Sequence, residues 1–78
     1  MKSDNQEVIN LYKNIGLRVK ELRQLNQMTQ LDLALEMGHR SVSLVSAAEL
    51  CNQNKHFNIE HLHKISKIFK IEMIVFFK

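Results

Sequence analysis

Apolar side chains recur every three or four residues through most of this 78-residue chain, and no proline interrupts them. That period matches the rotation of an α-helix, where positions three and four apart share a face. Proline would remove a backbone donor and clash with the preceding turn, so its absence leaves helices free to run. Only two glycines occur, Gly16 and Gly38. A β-sandwich would need far more turn residues, and the pattern predicts an all-α chain with few breaks.

The first stripe, Val8, Leu11, Tyr12, Ile15, Val19 and Leu22, predicts a helix over about residues 4–25. Ser3 or Asp4 can cap it, and Glu7 stands three residues past Asp4, the spacing of a capping box. Gly16 costs about 1 kcal/mol against alanine inside a helix, and such a glycine marks close packing or a kink. "LNQMT" then breaks the period. Thr29 can cap a second helix over about 29–37, with Leu33, Ala34 and Met37 inward, and Gly38 ends it where a left-handed backbone is easiest. Ser41 can cap a third helix over about 42–51, with Val42, Val45 and Ala48 inward. "CNQNKH" is the most polar stretch and reads as a loop.

Asn58 is the next cap. The helix it opens, about 58–69, sets Ile59, Leu62, Ile65, Ser66 and Phe69 on one line, with Lys64, Lys67 and Lys70 on a solvated outer side. "IEMIVFFK" closes the chain and predicts a fifth helix over 72–77, although its residues are also strand formers.

Seventy-eight residues make one domain, 1–78, with a thin core that a partner subunit would help to cover. The net charge of +3 permits a nucleic-acid partner without requiring one. The single cysteine, Cys51, rules out an internal disulfide and fits a reducing cytosol. No apolar run is long enough to span a membrane, and the polar N-terminus lacks the core of a signal peptide, so a cytoplasmic location is expected. His61 and His63 are two apart on a helix and point to different sides; His39, His56 and Cys51 have no ligand spacing. Neither a metal, a cofactor nor an enzymatic activity is expected.

Ile15 to Gly38, "IGLRVKELRQLNQMTQLDLALEMG", resembles the helix-turn-helix of phage-repressor and Xre-type transcriptional regulators. Phe57 to Phe77, "FNIEHLHKISKIFKIEMIVFF", is similar to the fourth and fifth helices of that family. The likeness covers about four fifths of the chain. The Thr-Gln pair before "LDLALEMG" is its most characteristic element. Short length and the "VFF" ending also resemble, more loosely, the controller proteins of restriction–modification systems.

The resemblance implies a five-helix lambda-repressor-like domain whose helix-turn-helix occupies about 29–51. It implies binding of double-stranded DNA by a homodimer on a two-fold operator, with the third helix in the major groove. Thr29 and Gln30 would meet a phosphate at a helix N-terminus. Asn54 and Lys55 would lie along the DNA backbone. Arg23 and Glu49 would form a partly buried pair joining the first helix to the end of the third. Cys51 stands at a helix end where the family prefers glycine.

The family's acidic residue usually follows the glycine by ten positions, and Glu49 follows Gly38 by eleven. With one extra turn residue at His39 or Arg40, the groove-facing positions are Ser41, Val42, Ser43 and Ala47, with Ser46 beside them. Without it they are Arg40, Ser41, Val42 and Ser46. Either set has no Asn or Gln and at most one Arg, so it lacks the forks that read guanine or adenine; serine hydroxyls and small methyls read weakly. Phosphate contacts, DNA shape and dimer spacing would carry the rest.

The apolar segment 71–78 has more hydrophobic surface than one helix face can bury, which points to a symmetric contact through Ile74, Val75 and Phe77. A rival reading keeps the scaffold and drops the DNA: an antitoxin or accessory subunit that binds protein.

Overall fold

The computed structural model describes residues 2–78, with side chains from Asn5 onward. Four α-helices succeed one another: α1 (Lys2–Leu25), α2 (Gln30–Glu36), α3 (Ser43–Leu50) and α4 (Ile59–Phe69). Short 3₁₀ helices occupy Asn52–Asn54 and Met73–Phe77, and no strand occurs among the described residues. The chain is all-helical. The α-helix expected over 72–77 is instead a 3₁₀ turn. Ile74 and Val75 are β-branched and lose rotamer freedom in an α-helix, and the tighter turn, begun by Val75 N–H donating to the Glu72 carbonyl at 3.1 Å, sends Phe76 into the core. The capping expected of Ser3 or Asp4 lies outside the described side chains.

Each helix stops for a local reason. α1 is closed by Gln27, two residues past its end, whose φ of 57° is left-handed; Met28 N–H then bonds back to the Arg23 carbonyl at 3.1 Å and Gln27 N–H to the Gln24 carbonyl at 3.0 Å. This Schellman closure drops Met28 against the core. α2 ends the same way on Gly38 (φ 90°), with His39 N–H on the Ala34 carbonyl at 2.9 Å and Gly38 N–H on Leu35 at 3.0 Å. α4 repeats it on Lys70 (φ 60°), with Ile71 N–H on Ser66 at 3.0 Å. Two of these three closures rest on residues other than glycine, which explains why the sequence shows so few breaks.

Two helix starts carry full capping boxes. Thr29 Oγ1 accepts Asp32 N–H (3.0 Å) while Asp32 accepts Thr29 N–H (2.8 Å). Asn58 Oδ1 accepts His61 N–H (2.8 Å) while His61 Nδ1 accepts Asn58 N–H (3.1 Å). Met28 and Leu33, and likewise Phe57 and Leu62, have the spacing of hydrophobic staples and join the core. α3 lacks such a start. Val42 is its N-cap without a side-chain bond, so the helix begins at Ser43; Ser41 Oγ accepts the Ser43 N–H at a long 3.4 Å. Val42, expected inward, is therefore exposed, as is Ile59 at the opening of α4.

One core joins the four helices: Ile15, Val19, Leu33, Ala34, Met37, Val45, Ala48, Phe57, Leu62, Ile65, Phe69 and Phe76. Twenty-four residues give α1 a length of about 36 Å, matching the 37 Å long axis of the molecule. Its stripe outlasts the body it packs on: Ile15 and Val19 are buried, but Val8 and Leu11 are exposed. Gly16 marks close packing and not a kink. A Cβ there would sit 2.6 Å from the carbonyl oxygens of both Ala48 and Glu49, so only glycine lets α1 cross the end of α3 so tightly. No described helix is long and apolar enough to cross a membrane.

Candidate nucleic-acid interface

The α2–α3 unit is held by one carboxylate. Glu49, 2% exposed, accepts from Arg23 Nε at 2.7 Å and Arg23 Nη2 at 3.1 Å, a two-pronged pair between α1 and α3. Arg23 is itself buried, and its third nitrogen, Nη1, donates to the Met28 carbonyl at 2.9 Å. Gln30 Nε2 adds a third donor to Glu49 at 3.0 Å, tying in the start of α2. Every charge in this cluster has a partner of opposite sign and extra hydrogen bonds, the condition for burying ions without prohibitive cost.

Thr29 and Gln30, expected to meet a phosphate, both have partners within the chain. Gln30 spends one amide hydrogen on Glu49 and points along the protein surface, half-buried. Thr29 and Asp32 satisfy each other, so the carboxylate of Asp32 stands where an incoming phosphate was expected. The Thr29 backbone N–H, and then its hydroxyl, hold that carboxyl below the usual range, and it is ionised at neutral pH. Sequence reasoning saw the cap but had no sign of which way the amide of Gln30 turns.

Six residues, 37–42, separate α2 from α3. Arg40, Ser41 and Val42 all lie in this turn and are exposed. On α3 itself Val45, Ala48 and Glu49 face inward, which leaves Ser43, Ser46, Ala47 and Leu50 on the outward line. Ser43 and Leu50 are exposed, and Ser46 and Ala47 are half-covered. The helical positions of the longer-turn alignment thus share one face, with Arg40 just before it. Leu50, 58% exposed, extends that face. Its place on that face follows from the spacing of seven from Ser43.

The loop after α3 is bent sharply. Cys51, Gln53 and Asn54 all have left-handed backbones, with φ of 56°, 54° and 62°. Asn54 and Lys55 are exposed. Arg40 precedes and Lys55 follows α3, whose eight residues span about 12 Å. The unit is not basic overall: the exposed Arg40 and Lys55 are offset by the exposed Asp32 and Glu36. Lys13 and Arg18 stand on α1, and Lys64 and Lys67 on α4.

Comparison with family models, with curated proteins and with solved structures gives no match for this chain.

At the C-terminus the apolar residues divide. Phe76 is in the core, Met73 and Val75 are half-buried, and Ile74 and Phe77 are 55% and 47% exposed. Val75 also contributes its carbonyl, which accepts from Arg18 Nε at 3.3 Å. Phe77 lies in a groove with Leu11, Ile59 and Leu62 and borders a second groove with Leu17.

Three histidines gather behind the α2–α3 turn. The rings of His39 and His61 meet edge to face with centroids 6.1 Å apart, and Phe57 packs on His61 at 6.3 Å. His56 stacks on Tyr12 of α1 at 3.7 Å. Among the described residues no three His, Cys, Asp or Glu side chains come together as a metal site.

Proposed function

We propose that this chain is a transcriptional regulator that binds duplex DNA as a homodimer, through the helix-turn-helix its sequence resembles. The observation that carries this reading is the Glu49 clamp. It fixes α2 against α3 through Arg23 and Gln30, and leaves Arg40, Ser41, Val42 and Ser43 exposed among the described residues. A rigid helix pair with an open, small-residue face suits entry into a major groove.

Affinity in this reading comes from phosphates met by Arg40 and Lys55 at the two ends of α3, with Asn54 beside Lys55. Ser41, Ser43, Ser46 and Ala47 touch base edges and thymine methyls and discriminate weakly. Gln30 serves the interface by holding α2 in place, and any phosphate bond from its second amide hydrogen is additional. Ile74 and Phe77, joined by Leu11 and Ile59, form the contact between subunits. Occupancy would act by blocking a promoter or recruiting polymerase.

Fluorescence anisotropy with labelled duplexes tests the assignment. Arg40→Ala and Lys55→Ala should each weaken binding to all sequences if both meet phosphate. A loss of about 1–3 kcal/mol confined to one base pair per half-site would instead make Arg40 a guanine reader. Wild-type affinity in both variants would remove α3 from the interface.

A second reading draws on the balance of charge around α3 and on Leu31, Leu35 and Leu50, all exposed on α2 and α3. An accessory subunit or antitoxin would use this apolar face against protein. Retained DNA binding by a Leu31→Ser, Leu35→Ser double variant, which alters no charge, counts against it.

A further inference from the structure

The cluster of His39, His56 and His61 has no place in the DNA-binding reading, yet it joins three parts of the fold. His39 belongs to the α2–α3 turn that carries Arg40 and Ser41, His56 to the loop before α4, and His61 to the first turn of α4. His61 is not placed to be charged. His61 Nδ1 accepts the Asn58 N–H at 3.1 Å, which requires that nitrogen to be bare. An imidazolium would turn a second N–H toward that N–H and break the reciprocal half of the cap. It would also set a cation at the positive end of a helix dipole. The Nε2 of His39 is buried with no hydrogen-bond partner.

The surrounding groups point the same way. His39 faces His61 from the turn, His56 from the loop, and Glu60 and Lys64 from α4 itself; α1 contributes Tyr12, stacked on His56. Burial is the largest influence and pushes the His61 ring below the ordinary imidazole value, with His39, Lys64 and His56 adding to it; Glu60 alone opposes.

We infer that His61 forms a proton-sensitive joint between the start of α4 and, through its edge contact with His39, the α2–α3 turn, closed when the His61 ring is neutral and opened by mild acid. Linkage sets the sign. A ring whose folded value lies below its unfolded one takes up more protons when unfolded, so its contribution is complete above about 6.5 and is lost as pH falls through the folded value. Opening releases the Asn58 cap and frees the turn that positions Arg40. The joint stands on the fold alone; only its consequence for DNA rests on the function proposed above.

The full chain can be titrated from pH 8 to pH 5 by two-dimensional NMR, beside thermal melts of wild type and His61→Gln. Glutamine at this position completes a capping box through its amide oxygen and does not titrate, so the variant keeps the fold. Wild type should melt about 4–8 °C lower at pH 5 than at pH 7.5, the scale of one lost cap, and His61→Gln should lose most of that difference. The Asn58, Arg40 and Ser41 amides should shift with the midpoint of the His61 ring, below about 6.5. A variant that tracks wild type across the pH range overturns the inference, as do Arg40 and Ser41 amides that stay still while His61 titrates. Neither measurement involves DNA, so failure here is separable from failure of the DNA-binding reading.

Discussion

Glu49 ties three segments of the chain with one side chain, and its neighbours divide into those that need it and those that only assist. Arg23 needs it: with Glu49 gone, a guanidinium that is 7% exposed keeps its charge and loses its counter-ion. Glu49→Ala should cost about 3–5 kcal/mol, a large part of the roughly 5–10 kcal/mol expected of so small a domain. Gln30→Ala removes one hydrogen bond to a charged acceptor at a half-exposed site and should cost about 1–2 kcal/mol. Urea denaturation of both variants checks the order; equal small losses would show that the clamp contributes little. The Arg23–Glu49 pairing was suggested by family likeness, whereas the third arm was not legible, because an exposed-looking Thr-Gln pair gives no sign of which way its amide turns. Gly16 was legible only as an alternative, close packing or kink. The carbonyls of Ala48 and Glu49 at 2.6 Å decide for packing. Gly16→Ala should therefore destabilise by about 1–3 kcal/mol through overpacking, against its better helix propensity, as a melting curve would show.

At the level of elements, periodicity located the four α-helices and most of the core because buried stripes and capping residues write themselves into local sequence. Helix ends were harder. Glycine announces a left-handed closure, as at Gly38, but Gln27 and Lys70 make the same closure without announcing it. Burial of the next residue offsets their cost: Met28 and Ile71 each swing into the core, and tertiary packing overrides a local preference. Lys70→Gly should relieve the left-handed backbone and raise stability by about 1 kcal/mol, read as a higher denaturation midpoint. A fall would mean that the lysine stem contributes packing of its own. The same override explains the misread ends of stripes. Val8, Leu11 and Ile59 keep the helical period yet lie beyond the surface they were expected to face, since a period describes a face and not what stands opposite. Phe57 was hidden for the opposite reason: it sits next to a polar loop and becomes core only through the staple to Leu62.

For the whole molecule, neighbouring residues at the C-terminus divide between the core and the proposed subunit contact. Phe76 is 2% exposed and Phe77 47%. Phe76→Ala should cost about 3–5 kcal/mol. Phe77→Ala should leave the melt nearly unchanged and shift the sedimentation equilibrium toward monomer at tens of micromolar, on the order of ordinary weak-dimer affinities. A dimer indifferent to Phe77 would move the contact elsewhere. In the proposed dimer, assembly matters because one subunit would offer DNA few charges: Arg40 and Lys55 beside α3, against Asp32 and Glu36 close by. Two subunits bring four such cations, and this sets how binding must respond to salt. The most direct measurement is wild-type affinity for duplex DNA from about 50 to 200 mM salt, where counter-ion release governs the result. Four phosphate contacts per dimer predict a log–log slope near −3.5, flattened by about half in either single variant and by most of its size in the Arg40→Ala, Lys55→Ala double variant. Absence of duplex binding even at about 50 mM salt, where this electrostatic contribution is strongest, would contradict the account and leave the exposed α2–α3 face to a protein partner.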